Sequence, residues 1–138
     1  MTQEDKEIIL KDLSARLPYG VKIKIIRWDI DEGMYINTTL EPDDIERLLN
    51  NEDGDTEIKP YLRPLSSMTD KELTEFLQIN GMNLNSDELK TFRRGETAIV
   101  STLYSYSRHI DWLNANHFDY RGLIEKSLAL DATGLNIY

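Results

Sequence analysis

Two histidines, His109 and His117, are the residues of this chain best suited to acid–base or metal chemistry, and each is followed at the second position by an aspartate, Asp111 and Asp119. Arg121 stands close by, inside the stretch "NANHFDYRGLI". An imidazole beside a carboxylate can act as an oriented base, and an arginine offers a fork of donors to a carboxylate or phosphate. His109, His117, Asp119 and Arg121 therefore form the candidate catalytic set of a small hydrolase or metal-dependent enzyme. Their spacing does not favour a metal. On a continuous helix, eight residues turn the side chains by roughly 80°, so the histidines would share a broad face without converging as an i, i+4 pair does. The close glutamate of the zinc-protease helix signature is missing as well.

The same stretch also reads as a joint. His109 is then a solvated helix residue, and His117 lies near a helix C-terminus, where a cationic or hydrogen-bonding side chain is favourable. Asp119 accepts hydrogen bonds from backbone N–H groups downstream, and Gly122 permits close backbone approach. Phe118 and Leu123 anchor the turn in the core. Arg121 holds exposed carbonyls or a nearby carboxylate.

Other signatures fail. The chain has no G-x-G-x-x-G, no G-x-x-x-x-G-K-[ST] and no G-x-S-x-G, the usual marks of dinucleotide binding, P-loop chemistry and the serine nucleophile elbow. "NNEDGDTE" suggests calcium, but counting from Gly54 puts Leu49 and Pro60 at the first and last ligand positions of an EF-hand loop. That register fails, leaving at most weak cation binding by crowded carboxylates. With no cysteine, disulfides, thiolate zinc sites and thiol nucleophiles are excluded together. No cofactor is expected.

Charge placement is more telling. The chain carries 25 acids against 16 bases, net −9, and residues 29 to 57 alone hold eleven acids and a single base, Arg47. Such a field repels phosphate backbones, so direct nucleic-acid binding is disfavoured and a basic protein is the expected partner. Asp43, Asp44, Glu46, Asp53 and Asp55 are the candidate binding residues; the plainer reading is a solvated edge that keeps the chain in solution. "RRG" at Arg93 and the Lys22/Lys24 face are small beside this. The acidic start "MTQEDKEIIL" and the short apolar runs argue against a secretory signal or a membrane span of about twenty residues, so a cytoplasmic protein is expected.

The elements that must position these residues follow from periodicity. Thr2 and Asp5 make a capping box, and Ile9, Leu13 and Leu17 recur at helical spacing up to Pro18, which predicts a helix over residues 3 to 17. "GVKIKIIRW" alternates, "DIDEG" supplies a turn and "MYINTTL" returns, a hairpin with one wet face. Pro42 and Asp43 suit the start of a short helix. "TEIKPYL" reads as a third strand that Pro60 confines to an edge or cuts short. After "RPLSSM", helical signals take over: Thr69 and Glu72 make another capping box, Ser86 starts a short helix, and "ETAIVSTLYSYS" reads as a strand to about Tyr104 followed by a helix capped by Ser105 or Ser107, with a continuous helical stripe through Ile99, Leu103 and Tyr106 as the alternative.

Three blocks, "KDLSARLPYGVKIKI", "IKPYLRPLSSMT" and "IDWLNANHFDYRGLIEKSLALDATGLNIY", resemble a set of small uncharacterised proteins from gut Bacteroidetes, many carried by prophages or other mobile elements. The resemblance spans about half the chain and implies no known activity. Glycine is usual in that set where this chain has Ser127, a departure that argues against a tight turn there. The acidic central segment looks like the variable part.

With 138 residues the chain makes one domain able to bury a sizeable core. The expected fold is α+β: an N-terminal helix, a small antiparallel sheet over residues 20 to 62, possibly curled into an SH3-like barrel, and a helical C-terminal half packed on it. Trp28 and Trp112 belong to the core or its margin. The expected function is a non-enzymatic, intracellular protein-interaction module of phage or mobile-element type that presents its acidic surface, and a strand edge, to a basic protein. The histidine-based hydrolase or metal enzyme is the alternative.

Overall fold

The fold is known from a computed structural model, which describes residues 2–27, 34–50, 56–78 and 107–138. Helix α1 spans Gln3–Arg16 and opens on the capping box: the Asp5 amide donates to Thr2 Oγ1 at 3.0 Å and the Thr2 amide to Asp5 Oδ2 at 3.3 Å. Pro18 then enforces a single 3-10 turn, and Gly20, at φ +68, takes the left-handed conformation that reverses the chain into β1.

Strand β1, Lys22–Arg27, pairs antiparallel with β2, Met34–Thr39, and on its other side with β3, Thr56–Pro64. β2 and β3 both run against β1, hence parallel to each other, and helix α2, Pro42–Leu49, forms the crossover between them. Ile23 and Ile25 of β1 and Ile58 and Leu62 of β3 face α1 and α2, where they bury completely against Ile9, Leu13 and Leu48. This inner face is the main core, and its alternation is the one visible in "VKIKI".

A second core lies beyond the end of β3. Helix α3, Asp70–Gln78, and helix α4, Ser107–Ala115, bury Leu73, Phe76 and Leu113 with Leu65, Met68 and Phe118. Trp112 sits at its margin, with ring centroids 5.3 Å from Phe76 and 5.7 Å from Phe118. The second capping box opens α3, Glu72 N–H donating to Thr69 Oγ1 at 3.2 Å and Thr69 N–H to Glu72 Oε1 at 3.1 Å. Glu72 also takes a two-pronged ion pair from Arg63 at 2.7 and 2.8 Å, so one carboxylate caps the helix and ties it to β3. That pair and the Thr69 amide hold the Glu72 carboxyl below its ordinary range despite partial burial.

The α+β class, the N-terminal helix and the antiparallel strands of residues 20 to 62 match the sequence reading; four features differ. First, β3 is extended by two short parallel strands from the C-terminal region, β4 (Phe118–Asp119) against Arg63–Pro64 and β5 (Leu130–Asp131) against Tyr61–Leu62. The sheet is therefore mixed and, among the described residues, open at β2 where an SH3-like barrel would close. Second, Pro60 sits in a central strand. Its pairing with Ile23 falls between ladder bonds, so its missing N–H would point away from β1, and on that far side β5 joins only from Tyr61 onward. Third, from Phe118 onward the chain forms turns and short strands where a helical half was expected. Fourth, Ser127 makes the tight turn without glycine, at φ +59. Trp28, the helix expected from Ser86 and the segment 96 to 106 lie outside the described residues.

The two ends of the sheet are finished differently. After Ile23–Pro60 the next rung between β1 and β3 would join Lys22 to Tyr61; the Tyr138 hydroxyl stands in its place, accepting from Lys22 N–H at 2.9 Å and donating to Tyr61 O at 2.7 Å. On the opposite side, Leu40 N–H donates to Val21 O at 2.9 Å, which sets the phase of the β1–β2 ladder. By the two-residue period, Ile36 and Thr38 bond to β1, while the backbone groups of Asn37 and Thr39 point outward.

Candidate functional site

The joint begins where α4 ends. Asn116 N–H still donates to Trp112 O at 3.0 Å, and the Asn116 side chain to the same carbonyl at 2.9 Å. His117 then turns left-handed at φ +63 and its N–H closes on Asn114 O at 3.1 Å. Its own carbonyl accepts from Arg63 N–H at 2.8 Å, delivering the chain onto β3.

The His117 ring lies flat on Tyr138, centroids 3.7 Å apart. Burial, and then the positive charges of Arg16, Arg63 and Lys22, push its pKa down to about 4. Of the cationic or hydrogen-bonding side chain expected at the helix end, the cationic form is not what the structure holds: the ring is neutral at pH 7, and its Nδ1 is buried with no hydrogen-bond partner. His109 was expected to be solvated and is instead fully buried in the second core, tilted against the Phe76 ring at 4.6 Å. Desolvation lowers its pKa, offset in part by a hydrogen bond with the Phe76 backbone. The two histidines thus pack on different aromatic partners, His109 tilted and His117 stacked, and no group of three or more metal-ligating side chains occurs among the described residues.

Asp119 is buried and turned to the backbone: Oδ1 accepts from Leu123 N–H at 2.9 Å and Oδ2 from Ile124 N–H at 3.0 Å. Both carboxylate oxygens are engaged in the turn, as the joint requires. Phe118 and Leu123 are fully buried on either side of it. Gly122 contributes its φ of +72; a Cβ there would meet nothing within 4 Å, so conformation, and not the expected close approach, accounts for the glycine.

Arg121 reaches Asp12 of α1, Nε to Oδ1 at 3.2 Å, and the other oxygen of Asp12 binds Arg16 Nε at 2.8 Å. Asp12 and Arg16 are both fully buried. Arg16 also donates to Phe118 O at 2.7 Å, and the guanidinium carbons of Arg16 and Arg121 stand 5.1 and 5.0 Å from the Tyr120 ring centroid. Tyr120 in turn donates to Asn114 Oδ1 at 2.8 Å. Asp12 and Arg16 escape the sequence reading although a signal for them exists. Ile9, Asp12, Leu13 and Arg16 occupy i, i+3, i+4 and i+7, the buried stripe of a helix, and an acid and a base four apart within that stripe mark an internal pair.

The acidic candidates divide. Asp43 and Glu46 are exposed on α2, where with Arg47, Asn50 and Thr56 they line an open hollow of about 460 Å³. Asp44, expected beside them on the surface, is buried, and its Oδ2 accepts the Glu41 amide at 2.9 Å as half of the helix cap. Asp53 and Asp55 lie outside the described residues. No helix among the described residues is long and apolar enough to cross a membrane. Comparison with family models, curated proteins and solved structures finds no match to this chain.

Proposed function

We propose that the protein is a non-enzymatic interaction module of the cytoplasm that offers the acidic face of α2 to a basic partner protein. The observation that carries this reading is the contrast in use between the two candidate sets. Asp43 and Glu46 stand exposed on α2, whereas Asp119 is consumed by the turn, Arg121 by Asp12, and both histidines by aromatic packing. A side chain already committed to its own fold is a poor catalyst, because catalysis would have to break the contact that positions it. Eleven acids between residues 29 and 57 add a field that attracts cationic surfaces and repels phosphate, which disfavours direct nucleic-acid binding. The resemblance to prophage-borne proteins fits a role in contacting other proteins of the host or of the element.

The test is affinity capture from host cells in which the mobile element is induced, followed by binding of the purified candidate to the parent chain and to the Asp43→Asn/Glu46→Gln variant. A basic protein held by the parent and lost from the variant is the expected result. Equal binding to both refutes the acidic surface. A chelator-sensitive hydrolase activity lost in His117→Ala, with an unchanged urea midpoint, would put the enzyme in its place.

A further inference from the structure

The face of the sheet turned away from α1 and α2 carries a hollow of its own. By the two-residue period of the strands, Lys22, Asn37, Thr39 and Tyr61 lie opposite the buried Ile23, Ile58 and Leu62. The segment after β5 runs beside them, and its Leu135 and Ile137 complete a groove of about 460 Å³, within the range of about 300–1,000 Å³ usual for small-molecule sites. The walls are tied together. The Tyr138 hydroxyl holds the segment to Lys22 N–H at 2.9 Å and Tyr61 O at 2.7 Å. The Tyr61 hydroxyl donates to Asn37 Oδ1 at 2.8 Å, and Lys22 Nζ to Thr39 Oγ1 at 2.6 Å. These bonds occupy Asn37 Oδ1 and Thr39 Oγ1 as acceptors and leave donors over. Lys22 keeps two of its three ammonium hydrogens, and the Asn37 amide nitrogen meets no partner among the described residues. No carboxylate among the described residues meets Lys22 or the neighbouring Lys24, whose Nζ lies 4.6 Å from the Tyr35 ring centroid. Beside this polar wall, Leu135 keeps 48 % of its surface, apolar area that the fold itself leaves wet.

We propose that this groove binds a small organic carboxylate with an apolar body. An ionised carboxylate only accepts hydrogen bonds, which matches a wall whose remaining groups are donors. Its oxygens take the free hydrogens of Lys22 and Asn37, and its alkyl or aryl part covers Leu135, Ile137 and the Tyr61 ring. Charge favours a carboxylate over a phosphate. Lys22 is the one charged side chain lining the groove among the described residues, so a single negative charge is balanced and a second is not. Anchoring the segment through Tyr138 keeps the groove formed before the ligand arrives, so little ordering is needed on binding. The site lies on the other face of the sheet from α2, whose Leu48 packs into the main core, and is independent of the acidic surface offered to a basic protein.

Octanoate, phenylacetate, the amides of both and acetate, each titrated into the full chain and followed by NMR, test it. Saturable binding of octanoate or phenylacetate is expected, with shifts at the Asn37 side-chain amide and the Leu135 methyl groups. The amides should bind about tenfold or more weakly, because they lose the charge-assisted bond to Lys22. Acetate should be weaker by a similar factor for want of an apolar body. Leu135→Asn, at an exposed position, and Lys22→Met should each weaken the tighter acid about tenfold. Lys22 lies on β1, so urea midpoints accompany both variants, and if that of Lys22→Met moves, Leu135→Asn decides. Amides that bind as tightly as the acids overturn the anionic headgroup. Acetate that binds as tightly as the longer acids leaves an adventitious ion only and overturns the apolar wall. Unchanged affinity in Leu135→Asn, shifts confined to other residues, or no saturation with either acid overturns the site.

Discussion

The imidazole of His117 and the phenol ring of Tyr138 lie face to face, centroids 3.7 Å apart and planes 13° from parallel. The phenol is itself fixed, because its hydroxyl bridges Lys22 N–H and Tyr61 O in place of a rung of the sheet. Burial and the positive charges around this stack keep His117 neutral, and burial pushes the Tyr138 hydroxyl up to about 12, so neither ring is charged at neutral pH.

Acid should therefore loosen the joint. The His117 pKa is lowered from 6.5 to about 4 on folding, so the unfolded chain takes up a proton first as pH falls. The stabilisation is whole above pH 6.5 and is lost between 6.5 and 4; a fully buried ring would lose about 1.4 kcal/mol per pH unit there, and the solvent near this one makes the loss smaller. Urea midpoints across that range should fall in the parent and fall less steeply in His117→Asn, a residue that tolerates the left-handed backbone. Some slope should remain, since buried His109 titrates in the same direction. An identical slope in the variant would show that the stack is not the acid-labile element.

The Asp12 carboxylate is the counter-charge of a fully buried guanidinium, so Asp12→Ala should destabilise by about 3–5 kcal/mol. Asp12→Leu combined with Arg16→Met removes both charges and should recover most of that loss. Chemical denaturation of the single and double variants measures both values.

At the turn, Asp119→Ala removes two charge-assisted backbone bonds and should cost on the order of 2 kcal/mol, and Phe118→Ala about 3 kcal/mol through the cavity it leaves. His117→Ala should cost less than either above pH 6.5. A reversed order in urea unfolding would count against the joint.

Association with the basic partner should slow as salt rises, because attraction between exposed charges is screened over about 10 Å at 0.1 M salt. Asp43→Asn/Glu46→Gln should lower the association rate without moving the urea midpoint, while Asp44→Ala should cost about 1 kcal/mol of stability as a lost cap. Stopped-flow mixing at two ionic strengths separates steering from folding.

Local signals in the sequence locate most elements correctly, because capping boxes such as Thr2/Asp5 and Thr69/Glu72 and the alternation of "VKIKI" are bonded or buried within a few residues of themselves. What the pattern does not disclose is the choice of distant partner. β4 and β5 are too short to alternate, and their pairing with β3 depends on where Arg63 and Leu62 come to lie. The candidate site follows the same division. Asp119 bonds to Leu123 and Ile124 nearby and its role is legible, whereas Arg121 finds Asp12 across the molecule. His109 is a polar residue buried beside Leu113, and the Phe76 ring and backbone that receive it are not disclosed by the local pattern. Asp44 has the residue type of a surface acid and the position of a cap; position wins.

The lock between α1 and the joint joins residues 102 apart in the chain, Arg16 to the Phe118 carbonyl. Burying Asp12 and Arg16 is costly unless their remaining polar atoms are met, and the partners that meet them come from this distant segment. The buried pair thereby ties the first helix to a distant segment: Phe118 O gives Arg16 its carbonyl partner, and Arg121 gives Asp12 a second guanidinium.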